Sequence, residues 1–135
     1  MFEELGGLFG WLIVFSFVGT ILNYLLKFIN KRYIKKISMY PQGKKYMRIL
    51  MNVFISNHKY FGLATAIFIL LHFIIQFTKF GLSITGCIAA IAIIVQVLLG
   101  VYANVKKRPR KGTWFVAHRI IAVLIILFII IHLIL

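Results

Sequence analysis

The sequence predicts an all-α membrane protein: an up-down bundle of four transmembrane helices with both termini on the outer side. Three observations predict it. Hydrophobic residues make up 62% of the 135 residues and charged residues 13%, whereas a soluble domain runs near half apolar and about a quarter charged. Four stretches are free of charge over, or nearly over, the roughly 20 residues that a spanning helix needs. The cations crowd into two of the three connections between those stretches. This composition excludes a soluble globular domain, a disordered tail and a disulfide scaffold. The single cysteine, Cys87, forms no internal disulfide and no multi-cysteine metal or iron–sulfur site. The net charge of +14 suggests nucleic acid at first sight, but it sits beside apolar spans, so no nucleic-acid partner is expected.

The first span covers 6–26. The residues before it, Met1-Phe2-Glu3-Glu4, carry no basic region, and no small-residue cleavage pattern follows. It is therefore expected to be a retained helix rather than a signal peptide. In lipid the backbone must satisfy its own polar groups, so each span is helical. The loop 27–59 holds nine cations: Lys27, Lys31, Arg32, Lys35, Lys36, Lys44, Lys45, Arg48 and Lys59. Its part 27–37 alternates cations with bulky apolar residues at helical spacing, as an interfacial helix does. Pro41-Gln42-Gly43 breaks that pattern. Residues 46–56 are again apolar except for Arg48, and either join the second span or lie along the membrane.

The second span covers 60–78 and the third 81–105, with Lys79 the one cation between them. The loop 106–113 adds Lys106, Lys107, Arg108, Arg110 and Lys111, broken by Pro109 and Gly112, with Thr113 placed as a helix N-cap. The fourth span covers 114–135, with Arg119 at the interface. Fifteen of the sixteen cations thus fall on one side, which the positive-inside rule makes cytoplasmic. Glu3 and Glu4 then lie outside with both termini. Trp11, Trp114 and the loop tyrosines suit the two interfaces. The Lys- and Ile-rich composition is compatible with a prokaryotic plasma membrane.

Four histidines carry the functional signal. His58 and His72 are fourteen residues apart, and so are His118 and His132. Fourteen residues advance a helix by about 1400°, some 40° short of four turns, and by roughly 21 Å. Each pair therefore lies near one face, with one histidine in each leaflet. The second and fourth spans run parallel, so His58 is level with His118 and His72 with His132. Two imidazoles at one depth on facing helices can hold a metalloporphyrin from both sides. The expected cofactors are two haem b groups, since no Cys-x-x-Cys-His attachment motif exists. Isolated polar membrane histidines that bond a neighbouring helix, bind a substrate or relay a proton are the competing reading. Zinc or copper is a poorer one: each level offers two histidines, and the only acids are Glu3 and Glu4.

Lys59 and Arg119 directly follow the cytoplasmic-side histidines. They either pair with haem propionates or snorkel to the interface. Gly86 and Gly100 on the third span are again fourteen apart. They either let a porphyrin approach the helix closely or serve ordinary small-residue packing. The first span has Gly6, Gly7, Gly10 and Gly19 but no pair at that spacing.

On His58-x13-His72, His118-x13-His132, Gly86 and Gly100, most of the chain resembles the four-helix di-haem core of the cytochrome b superfamily. That superfamily includes the amino-terminal part of respiratory cytochrome b and photosynthetic cytochrome b6. The same paired-histidine plan occurs in the membrane part of ferric reductases and NADPH oxidases. The resemblance implies that His58 and His118 hold an inner haem and that His72 and His132 hold an outer one. It also matches Gly86 and Gly100 to that superfamily's haem-facing glycines. The quinol-site segments of the longer cytochromes b and the flavin and nicotinamide domains of the fused reductases are not among these 135 residues. The expectation is a membrane subunit of a larger redox complex.

Bis-histidine iron has no open position, so electron transfer is expected rather than oxygen binding. The expected donor is a cytosolic flavoprotein, flavodoxin or ferredoxin, or else membrane quinone. The basic inner face either steers such acidic carriers or only fixes topology and meets anionic lipid. Two alternatives stand beside this reading. One is a transmembrane reductase of ferric iron, oxygen or quinone, with Lys79 attracting an anionic acceptor or an outer-haem propionate. The other is a non-redox small transporter or assembly factor.

Overall fold

The computed structural model describes residues 2–135. All regular structure among them is helical: α1 (Phe2–Ser38), α2 (Pro41–Ser56), α3 (His58–Phe80), α4 (Ile84–Val105) and α5 (Thr113–Ile134). Four of the five, α1, α3, α4 and α5, are long and apolar enough to cross a membrane. The fifth, α2, is the difference from a four-helix expectation.

Helix α1 runs through the boundary expected near residue 26. Its 37 residues rise about 56 Å, nearly twice the hydrocarbon thickness. The change from apolar to basic composition does not end it, because Lys, Arg and Ile are compatible with helix and no Gly or Pro intervenes between Gly19 and Pro41. The stretch 27–37 is thus the continuation of the first span. Tyr40, held extended at φ −110° and ψ 113° before Pro41, breaks the chain as pre-proline residues do. Pro41 then opens α2, where its missing N–H costs nothing. Asn57 separates α2 from α3: its side-chain amide and its backbone N–H both donate to the Val53 carbonyl, at 2.9 and 3.3 Å. The segment 46–56 therefore does not join the second span.

The other two connections are set by glycine. Gly81 closes α3 at φ +75°, donating to the Phe77 carbonyl at 3.2 Å. Ser83 then caps α4, its hydroxyl accepting from the Gly86 N–H at 3.3 Å. Before α5, the capping residue is Gly112 rather than Thr113. Its φ of +88° is a conformation that a side chain disfavours, so Thr113 becomes the first helical residue.

The chain forms two compact units. One comprises residues 12–65. In it, the hydroxyl of Thr65, a residue 1% exposed, lies 2.9 Å from the Ser16 hydroxyl. Phe61 stacks on Phe54 at 5.6 Å and lies against Gly19, where a Cβ would meet the ring at 2.8 Å. The other unit joins the first eleven residues to Ala66–Leu135. Its centre is the hairpin of α4 and α5, where Ala89, Ile93, Ala103 and Ile125 are buried. Most other large apolar side chains are exposed, as expected of helices whose outer surface meets lipid rather than water.

Ile125 has no exposed surface, so its truncation leaves a cavity. Ile125→Ala is expected to cost about 2–4 kcal/mol, whereas Leu133→Ala, at a side chain 66% exposed, should fall within roughly 0.5 kcal/mol. Thermal unfolding of the detergent-solubilised variants, followed by helical circular dichroism, checks the contrast.

Candidate functional site

The hairpin of α4 and α5 sets glycines of one helix against histidines of the other. Gly86 on α4 faces the Cε1 edge of His132 on α5: a Cβ built on it would lie 3.1 Å away. Gly100 faces the Cε1 edge of His118 in the same way, at 3.8 Å. Since both spacings are fourteen, one antiparallel register sets both contacts. Midway, by the same register, Ile93 lies level with Ile125, and both are almost wholly buried. The seven-residue steps Gly86, Ile93, Gly100 and His118, Ile125, His132 are those of a left-handed helix pair. The glycines thus make room for imidazole rings.

Within the same unit, His72 on α3 and His132 come together. Their ring centroids are 6.4 Å apart, with planes at 87°. His72 Nδ1 lies 3.0 Å from the Gly6 carbonyl of α1. A carbonyl only accepts, so Nδ1 carries a proton; in the neutral ring the lone pair then sits on Nε2. His132 Nδ1 lies 3.1 Å from the Thr85 hydroxyl. Gly10 backs His72, where a Cβ would lie 3.4 Å from Cε1.

Metal–imidazole bonds run about 2 Å, so two imidazoles on one metal place their ring centroids roughly 6 Å apart. Metal-bound histidines also commonly donate their second ring N–H to a carbonyl or comparable acceptor. The separation of this pair and the His72 tautomer fit a haem with two imidazole ligands. Among the described residues, no three His, Cys, Asp or Glu side chains form a metal-binding group.

The remaining candidates are placed as follows. His118, in the second turn of α5, has its ring 6.3 Å from that of Trp114, and its carbonyl accepts from Gln96 Nε2 at 2.8 Å. His58 belongs to the 12–65 unit, half-buried as the first residue of α3. Lys59 holds its ammonium 4.9 Å from the Tyr60 ring centroid, and Arg119 its guanidinium 5.7 Å from that of Phe115. Both cations are exposed and rest on aromatic faces of their own helices, a favourable setting. Lys79 is exposed in the last turn of α3.

Sequence reasoning missed Gly10, the Gly6 carbonyl, Thr85 and Gln96. The first span has no glycine pair at spacing fourteen, yet the structure sets a single glycine there against a single ring. A backbone carbonyl leaves no mark in a sequence. Thr85 was findable, as a hydroxyl beside Gly86. Compared with family models, with curated proteins and with solved structures, the chain matches none.

The two glycine contacts differ in tightness, which gives a test. Gly86→Ala is expected to push the His132 ring and cost about 1–3 kcal/mol. Gly100→Ala meets ordinary van der Waals contact and gains helix propensity, so it should be neutral or stabilising by up to about 1 kcal/mol. Parallel thermal denaturation of the two variants decides it.

Proposed function

We propose that the chain is a small membrane cytochrome b that carries single electrons across the bilayer, using two haem b groups. His72 and His132 hold the outer haem. The observation that carries this reading is their 6.4 Å ring separation combined with Nδ1 atoms engaged by Gly6 and Thr85. The inner haem, at His58 and His118, rests on the equal spacing of the two pairs in the sequence. A haem iron with imidazole on both sides supplies one-electron exchange and no open coordination position.

The chain's own residues have defined parts in this reading. The Gly6 carbonyl holds His72 in the tautomer that leaves Nε2 to bind. Gly10 and Gly86 keep the space in which the two rings stand. The apolar side chains of the spans keep water and bulk counter-ions away, which strengthens every local electrostatic influence on the site. In this reading the basic loops lie in the cytoplasm and both termini outside, as the positive-inside rule assigns them. Lys59 and Arg119 directly follow the inner histidines in the chain and would pair with propionates.

The partners proposed are a cytosolic flavoprotein, flavodoxin or ferredoxin, or membrane quinone, within a redox complex of a prokaryotic plasma membrane. The cationic loops, with Lys106, Lys107, Arg108, Arg110 and Lys111 in one of them, suit an acidic donor.

Detergent-purified protein from haem-replete expression should show sharp reduced α and β bands and about two haems per chain by pyridine haemochrome. His72→Ala and His132→Ala should each leave one haem, and so should His58→Ala and His118→Ala. A colourless protein sinks the reading and restores the transporter alternative. Separately, reduction by an acidic flavodoxin should slow severalfold between about 0.05 and 0.5 M salt, as screening shortens the reach of the basic loops. A salt-independent rate would remove electrostatic docking.

A further inference from the structure

The two outer histidines are held by chemically different partners. The Gly6 carbonyl on His72 is backbone and can only accept. The Thr85 hydroxyl on His132 is a side chain that can donate or accept. Thr85 is also unusual among the helix hydroxyls. Ser16, Thr20, Ser38, Thr65 and Thr78 each turn back to a carbonyl three or four residues earlier in their own helix. Thr85 is the second residue of α4, where no intrahelical carbonyl lies behind it. Its hydroxyl is therefore available to reach across to α5.

Behind Thr85 stands Ser83, with the two hydroxyl oxygens 3.1 Å apart. Ser83 in turn accepts from the Gly86 N–H as the cap of α4. If His132 binds through Nε2, its Nδ1 must carry a proton and donate. The rest of the chain then has one consistent direction. Thr85 accepts from His132, donates its own proton to Ser83, and Ser83 also accepts from Gly86. The His132 Nδ1–H and the Thr85 O–H each find an acceptor, and the Thr85 rotamer is locked from both sides. Gly86 is at once the N–H that anchors Ser83 and the gap into which His132 fits.

Resting on the outer-haem reading, we propose that Thr85, anchored by Ser83, is the positioning residue that fixes the ring orientation and donor strength of His132. An imidazole whose N–H donates to a fixed acceptor is more basic at its other nitrogen and favours the ferric over the ferrous state of a bound iron. Removing the acceptor raises the reduction potential of that haem alone. It also frees the ring to turn.

The test compares haem-loaded full-length wild type with Thr85→Val, which keeps the shape and removes the hydroxyl, and with Thr85→Ser, which keeps the hydroxyl. The readouts are potentiometric titration of the two haems and low-spin ferric electron paramagnetic resonance. Thr85→Val should shift one potential upward, leave the other in place and change the g-values of the shifted haem. Thr85→Ser should restore both. Loss of one haem in the valine variant with retention in the serine variant also supports the assignment. Unchanged potentials and spectra in Thr85→Val overturn it, as does equal loss of haem in both variants. Wild type without haem defeats the underlying reading instead, so the two failures are distinguishable.

Discussion

An apolar layer offers a polar side chain no water, so each imidazole placed there must be held by protein. The arrangement around His72 and His132 follows from that constraint. His72 takes the one carbonyl that α1 presents to it, and His132 takes a hydroxyl from the start of α4. Both bonds form at Nδ1: the Gly6 carbonyl puts a proton there on His72, while the Thr85 hydroxyl can donate to His132 or accept from it. For His72 the requirement that stabilises the ring thus also selects its tautomer.

Supplying those partners demands close approach, and close approach demands small residues. Gly10 and Gly86 stand opposite Cε1 of the two rings. The hairpin of α4 and α5 carries this furthest, since equal spacings on its two helices turn one register into two glycine–histidine contacts. The buried Ile93 and Ile125 between them hold that register. In the 12–65 unit the same economy appears in Thr65 and Ser16, two buried hydroxyls that bond each other, and in the ring of Phe61 against Gly19.

Charge works at the ends of the spans rather than inside them. Lys59, Arg108 and Arg119 each rest on an aromatic ring beside them in the chain or on the adjoining helix. Such contacts order long side chains at a boundary where water is present on one side only. The loop before α5 is tied down as well, by Trp114 Nε1 donating to the Pro109 carbonyl at 3.0 Å and by the Tyr102 hydroxyl accepting from Arg108 at 3.1 Å.

The four spanning helices, the approximate bounds of three of them and the equal fourteen-residue spacings of Gly86 and Gly100 and of the histidine pairs were legible in the sequence; that the glycines make room for the histidine rings of α5 was not, because the same spacing suits a porphyrin or small-residue packing equally. Apolar length and the fourteen-residue spacing are one-dimensional quantities that helix geometry converts directly into depth. The extent of α1 was not legible, because a switch from apolar to basic residues changes the surroundings of a helix without ending it. Nor was the independence of α2, which turns on Asn57 closing the helix onto Val53. Composition and periodicity by themselves determined an all-helical membrane protein with paired histidines. The tertiary structure alone decided which atoms hold them: the Gly6 carbonyl, the Thr85 hydroxyl and the space at Gly10. Those partners depend on how one helix is rotated against another, and residue spacing along a single chain carries no record of that rotation.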